Sequence, residues 1–360
     1  MLEFLRRYLV LSLRRDHVTC ETRRPGQGCR CVSPTGRRLN HSPLPVQLPT
    51  PPRAGAGLFL GMLLATAGSL SAQNLSALHD YNVITRLDFS TTSEVEGRTL
   101  VGRDLTNGNS SNFGIKLQGQ VAATTPVLSV KRNIASGNPL NLNAGSLEVG
   151  GTTNGRKINY NGGGALLSGY STNTAAIISN LDVASQVLAT YGTNSNFIMP
   201  ASQPAAFTLN ASPNANGLAV FSLNAADLFN NNKVQQIELN ANGATDIVIN
   251  VAGTNVVWNA GNMVGILNTD AVRDSLVWNF YQATTIDFGS HTIDGQVLAP
   301  YANVTSSGNI DGSIYANSLT TTSEVHLPSY AGNIVAVPEP SLIGLSGVGA
   351  LVLLLRRKRG

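Results

Sequence analysis

Ile293-Asp294-Gly295-Gln296-Val297-Leu298-Ala299 and Ile310-Asp311-Gly312-Ser313-Ile314-Tyr315-Ala316 repeat one phrase at an offset of 17 residues, and its reading decides the fold. Each copy runs apolar, acidic, Gly, polar, then a short apolar strand. A looser copy, Val95-Glu96-Gly97-Arg98-Thr99-Leu100-Val101, lies far upstream. Strands this short cannot bury an apolar face alone. Copies stacked on one another would bury a continuous core, which is the logic of a solenoid. The acidic-Gly pair marks a turn, because Asp can bond its own backbone and Gly supplies a positive φ. A β-sandwich with similar hairpins is the alternative. The expected fold is mainly β: a β-helix or solenoid-like domain with one packed α-helix.

Composition agrees. Gly and Asn each occur 36 times in 360 residues, charged residues make up 12% and aromatics 6%. Such a chain suits many tight turns between short strands. The formal net charge of +4 is carried by the ends. Residues 73–336 hold ten Lys+Arg against sixteen Asp+Glu, a net of −6. Phosphate binding needs clustered cations, so no nucleic-acid partner is expected. Cys20, Cys29 and Cys31 all precede residue 32, so the body has neither a disulfide framework nor a thiolate metal site.

Four segments follow along the chain. Residues 1–53 are Arg- and Pro-rich without periodicity, and read as a mis-annotated or disordered extension, with the true start near Val46 or Leu48 and 1–45 upstream of it. Residues 54–72, behind the basic flank at Arg53, join the apolar run Leu58–Ala67 to small residues, the pattern of a secretory signal cleaved between Ser69 and Gln73. Residues 73–336 form the body. Strands are expected at Val83–Phe89, Phe113–Leu117, Val121–Val130, Leu140–Val149, Phe207–Leu209, Leu218–Leu223, Gln236–Leu239, Asp246–Val251 and Asn255–Trp258, with Ile247–Val251 central. Within 172–191, Ala175, Ile178, Leu181, Val183, Val187 and Leu188 recur at three- and four-residue spacing and predict a helix along the sheet or capping an end.

Residues 337–360 combine Pro338-Glu339-Pro340, the apolar run Ser341–Leu355 and the basic end Arg356-Arg357-Lys358-Arg359. Fifteen residues is short for a ~20-residue transmembrane helix, but tilt or snorkelling arginines allow a crossing. The basic end would stay cytoplasmic. This combination resembles the bacterial PEP-CTERM sorting signal. The resemblance implies that an exosortase recognises Pro338-Glu339-Pro340 and removes the tail, leaving the protein at the cell surface or in the extracellular matrix.

Ser93–Asp104, Asp246–Gly253, Val277–Phe280 and Gly295–Gly312, with His326 and Gly332, resemble the choice-of-anchor A family of secreted bacterial domains over about 78–334. The resemblance implies a β-helical, adhesive or collagen-binding-like domain, and fixes class and location better than ligand.

Catalytic signals are weak. His79, His291 and His326 have no metal spacing, and neither a nucleophile elbow nor a phosphate loop is present. On adjacent rungs, Asp294 and Asp311 would lie one strand spacing apart, ~4.8 Å. They could then hold Ca²⁺ with backbone carbonyls or share a proton, or each could close its own turn and face solvent. Calcium is the one cofactor considered. Thr284-Thr285 and Thr320-Thr321-Thr322 read as turns lining a flat polar face suited to a sugar polymer or ice. The function expected is non-catalytic adhesion or scaffolding on an extracellular polysaccharide or matrix protein, with the membrane contacted through residues 341–355 before processing. A polysaccharide-degrading enzyme and a self-assembling coat are the rivals.

Overall fold

The computed structural model describes residues 73–336 apart from Ala260. The signal reading at 54–72 and the sorting reading at 337–360 lie outside those residues. Short strands dominate, as the composition predicts. They form twelve-, seven-, four- and two-stranded sheets. Pairing is parallel throughout, except between Gln73–Asn74 and Val335–Ala336 and between Asn196–Ile198 and Ala205–Asn210.

Stacked parallel strands build a solenoid-like body with three faces. The stacking does not follow chain order. Along the first face the strands run Leu218–Asn224, Asp246–Ala252, Leu276–Asn279, Gln296–Ser306, Ile314–Thr321, Val83–Thr85, Thr99–Val101, Pro126–Val130 and Ser146–Val149. Val83 pairs with both Ile314 and Thr99, so the first coil stacks directly on the last. The chain coils outward from the middle to one end and crosses to the other. It then coils back to meet its own start.

The repeat behaves as its sequence predicts. Ile293 pairs with Ile310 and Asp294 with Asp311, then Ile310 with Val325 and Val325 with Val95. The upstream copy therefore joins the same stack. Gly295 and Gly312 sit at corners with φ of +108° and +151°, where L side chains are strained. An added Cβ on Gly312 would also lie 2.3 Å from the carbonyl oxygen of Gly295.

Two cores result. Inside the coils, Phe229 lies 5.3 Å from Trp258, 5.8 Å from Trp278 and 5.6 Å from Phe280, centroid to centroid. The Trp278 indole donates to the Asp294 carbonyl at 2.9 Å, tying this cluster to the repeat. The second core lies outside the first face. There Ile84, Leu100, Val248, Val277, Leu298 and Tyr315 form an apolar row covered by Leu181, Ala184 and Leu188 of the helix Thr174–Leu188. Burying each leucine contributes about 1.5–3 kcal/mol. Burial on both sides explains why Ile247–Val251 is apolar at every position but Asn250.

That helix is the crossing element and lies along the sheet, one of the two positions expected. Asn173 caps its N-terminus by accepting from the Ala176 amide at 3.3 Å. The sequence placed Ala175 and Val183 on its buried face, but both are exposed. Ala184 and Ser185 point inward instead, in step with Leu181 and Leu188 at 3.6 residues per turn. Ser185, Asn250 and Asn279 form a buried network. Asn279 donates to Asn250 at 2.8 Å and to the Ser185 carbonyl at 2.9 Å, fixing the helix against two rungs. Three further short helices occur among the described residues, at Ser76–Asp80, Ala225–Leu228 and Asp270–Arg273, where the sequence reading expected one packed helix in the body.

Candidate binding face

The second face carries the arrangement best suited to an extended ligand. Asn255–Val257 pairs with Thr285–Asp287, which pairs with Asn303–Thr305 of the next coil. Asn303–Ser306 pairs with Ser318–Thr321, whose Leu319–Thr321 pairs with Phe89–Thr91. Leu105 and Ile134 extend the stack by single bridges. Alternation along each strand turns Val256, Ile286, Val304, Leu319 and Phe89 into the core. The intervening positions face outward in two ranks. One rank is Asn255, Thr285, Asn303 and Ser318, and the other is Val257, Asp287, Thr305, Thr320 and Ser90. Neighbours along a rank are ~4.8 Å apart, and the ranks lie two strand residues, about 7 Å, apart.

The first rank is ordered by its own hydrogen bonds. Thr285 donates to Asn255 at 2.6 Å, and Ser318 to Asn303 at 2.7 Å. Asn317 also donates to Asn303, at 2.8 Å. These side chains are therefore held in place before any ligand arrives. Of the threonines the sequence singled out, Thr285, Thr320 and Thr321 are strand residues, while Thr284 and Thr322 lie in the adjoining bends. Thr285 and Thr320 face outward while Thr321 is buried. Farther along, the face becomes charged. Arg103 bonds Asp88 through Nε at 2.6 Å and again through Nη2, and Arg132 lies 3.9 Å from Asp104. The Arg103 bond holds the Asp88 carboxyl below its usual range, against the opposing effect of burial.

Asp294 and Asp311 are brought together on adjacent rungs, but neither faces solvent: they are 2% and 7% exposed. Asp294 does not close its own turn. Arg273, from the short helix Asp270–Arg273, reaches between the carboxylates. Its Nε and Nη2 lie 2.7 and 2.6 Å from Asp294 Oδ1, and Nη2 lies 2.8 Å from Asp311 Oδ2. The guanidinium thus stands where a shared cation would. His326 continues the chain of charges, with Nδ1 2.8 Å from Asp311 and Nε2 2.5 Å from Glu324. Burial pushes the Asp294 carboxyl up to about 6, with Arg273 opposing the shift and Asp311 adding to it. Burial disfavours the His326 imidazolium, but Glu324 and Asp311 outweigh it and raise the group above its ordinary range. Arg273 was missed in the sequence. Its signal was a lone cation just before the strand that opens the repeat block.

The remaining sequence candidates lie apart. His79 is exposed beside Asp80, and His291 stacks on Trp258 with centroids 4.8 Å apart. Pro338, Glu339, Pro340, Arg356, Arg357, Lys358 and Arg359 lie outside the described residues. Among the described residues, no cluster of three or more His, Cys, Asp or Glu could hold a metal ion. No helix among them is long and apolar enough to cross a membrane.

No curated protein matches the chain. Among solved structures it is similar to the ice-binding protein of the Antarctic ascomycete Antarctomyces psychrotrophicus, at 11% identity and a TM-score of 0.27. That alignment covers 73% of this chain and 100% of the other. It is also similar to an ice-binding protein from an Antarctic bacterium, Flavobacteriaceae, at 12% identity and a TM-score of 0.28, covering 72% of this chain and 99% of the other. A family model described as "Putative Ice-binding-like adhesive domain" matches residues 74–327, most of the body, and the chain belongs to that family.

Proposed function

We propose that this is a non-catalytic adhesive protein that works outside the cell, and that the second face is its binding surface. One observation carries the reading: the pre-ordered uncharged rank Asn255–Thr285–Asn303–Ser318, backed by a second rank containing Thr305 and Thr320. A rigid row of hydroxyls and carboxamides at ~4.8 Å intervals presents the same weak contact many times. Each contact is worth little, but together they give avidity for a solid that repeats its own hydroxyls or waters. Extracellular polysaccharide is the leading partner and a matrix protein the second. The family's description makes ice a third solid with the same demands.

The rest of the reading concerns delivery. An exosortase acting on Pro338-Glu339-Pro340 would release a body first held in the membrane through residues 341–355, leaving it on the surface or in the matrix.

The test is co-sedimentation of the full-length protein with insoluble polysaccharides, collagen and ice. Thr305→Arg places a long charged side chain mid-face at an exposed position, where a surface change alters stability by only about 0.5 kcal/mol. Binding to at least one solid, lost in this variant at unchanged melting temperature, is expected. Undiminished binding by the variant would sink the assignment of the face.

A further inference from the structure

A pocket of about 720 Å³ opens at the Leu218–Asn224 end of the first face, just beyond the helix Thr174–Leu188. We infer that it is a second binding site, distinct from the flat face, for a short neutral saccharide. The volume falls in the range of small-ligand sites.

Its wall is built by the device that closes the end of the solenoid. Leu218–Asn224 is a terminal strand, whose exposed edge would invite pairing with another chain. Asn194 covers that edge. Its side chain accepts from the Val220 amide at 2.7 Å and donates to the Leu218 carbonyl at 3.0 Å. Asn214 closes the preceding turn, accepting from the amides of Asn216 and Leu218 at 2.9 and 3.2 Å. These two asparagines are committed to the fold. The carboxamides of Asn216 and Asn333 line the same pocket, are exposed, and have no hydrogen-bond partner among the described residues. Each offers donors and an acceptor side by side, the pattern that vicinal hydroxyls require.

Asp246 adds a strong acceptor. It is 6% exposed and accepts from the Asn333 amide at 2.7 Å and from the Thr245 hydroxyl at 3.2 Å. Tyr191, Val220 and Ile334 supply aromatic and apolar surface for the C–H faces of a sugar ring. Charge selects against acidic sugars. No Lys, Arg or His lines the pocket, while Asp246 does. The ligand class that satisfies carboxamides, one carboxylate and an apolar wall without a cation is a neutral pyranose chain.

Saturation-transfer NMR on the full-length protein tests this, with cellotriose, maltotriose, tri-N-acetylchitotriose and trigalacturonate as probes. At least one neutral trisaccharide should give a saturable signal. Asn216→Ala combined with Asn333→Ala should weaken it about 30-fold, as expected for two lost hydrogen bonds of about 1 kcal/mol each. The melting temperature should not change. Thr305→Arg should leave trisaccharide binding intact, which separates the pocket from the adhesive face. The inference fails if no neutral probe saturates, if trigalacturonate binds equally well, if the double variant binds like the parent, or if Thr305→Arg abolishes the signal.

Discussion

Removing Arg273 puts the central charge cluster to its hardest test. Its side chain is 17% exposed, and those of Asp294 and Asp311 are 3% and 11% exposed. The Arg273→Leu variant would leave two buried carboxylates on adjacent rungs with their common cation gone. Breaking a buried pair by deleting one partner costs about 3–5 kcal/mol. For a domain of this size each kilocalorie lowers Tm by about 2–4 °C, so a drop of about 10 °C is expected at pH 7. The sign of the pH effect follows from burial. Unpaired buried carboxylates bind protons more tightly folded than unfolded, so acid relieves the penalty and the deficit should shrink towards pH 4. Adding Asp294→Asn and Asp311→Asn to Arg273→Leu should recover most of the loss at pH 7. Calcium should raise the Tm of Arg273→Leu and leave the parent unchanged, because the parent's guanidinium stands between the carboxylates. Thermal melts by circular dichroism at pH 4 and pH 7, with and without Ca²⁺, supply the assay. A deficit below about 1 kcal/mol, or one that ignores pH, would refute the view that Arg273 holds this site together.

Four other outcomes follow from particular contacts. Glu148 is buried, which raises its pKa. The amides and hydroxyls of Ser171 and Thr172 outweigh that and hold it below the usual range. Its contribution is therefore present above its ordinary pKa and lost as pH falls, and Glu148→Gln should flatten the acid limb of a Tm–pH curve. His326 is raised, so its contribution is present below about 6.5 and lost as pH rises through its folded value. His326→Gln should accordingly lower Tm more at pH 6 than at pH 9. Asn279→Ala leaves Ser185 and Asn250 short of a buried partner and should cost about 1–3 kcal/mol in denaturant melts. In cells, Pro338→Ala with Glu339→Ala should keep the tail on the protein, read as a heavier membrane-bound species; normal release would remove the sorting reading.

The sequence was most legible where one residue type does one geometric job. The Ile-Asp-Gly phrase predicted its own register, because a positive φ and a close backbone approach at the corner demand glycine at each copy. Ile247–Val251 announced double burial by being apolar on both faces, with Asn250 its one polar member. Partners were harder to read. Nothing in the residues says that Val83 stacks on Ile314, because periodicity reports which face a side chain takes and not which strand lies beside it. For the same reason the acidic pair was legible but its cation was not. Asp294 and Asp311 share a repeat position, whereas Arg273 sits on a non-repeating helix and meets them only once the coils are stacked. The helix was found by its spacing, yet Val183 misled because apolarity alone cannot separate an inward residue from an exposed one.

The out-of-order stacking itself has a functional consequence. A solenoid coiled in sequence would be held together only by contacts between successive coils, and could open one coil at a time. Here the seam between Val83–Thr85 and Ile314–Thr321 joins the two ends of the body in the middle of the sheet. Phe89–Thr91 crosses the same seam on the second face, so two distant parts of the chain together form its outward ranks. The helix Thr174–Leu188 then spans outward-facing side chains from both sides of it, including Ile84 and Val248. Local opening near the seam must break contacts between residues far apart in sequence, which ties the end of the polar ranks at Ser318 and Ser90 to both parts of the chain. A surface that relies on many weak contacts in fixed register needs such ties, because any flexing of the array spreads its contacts out of step with the solid it meets.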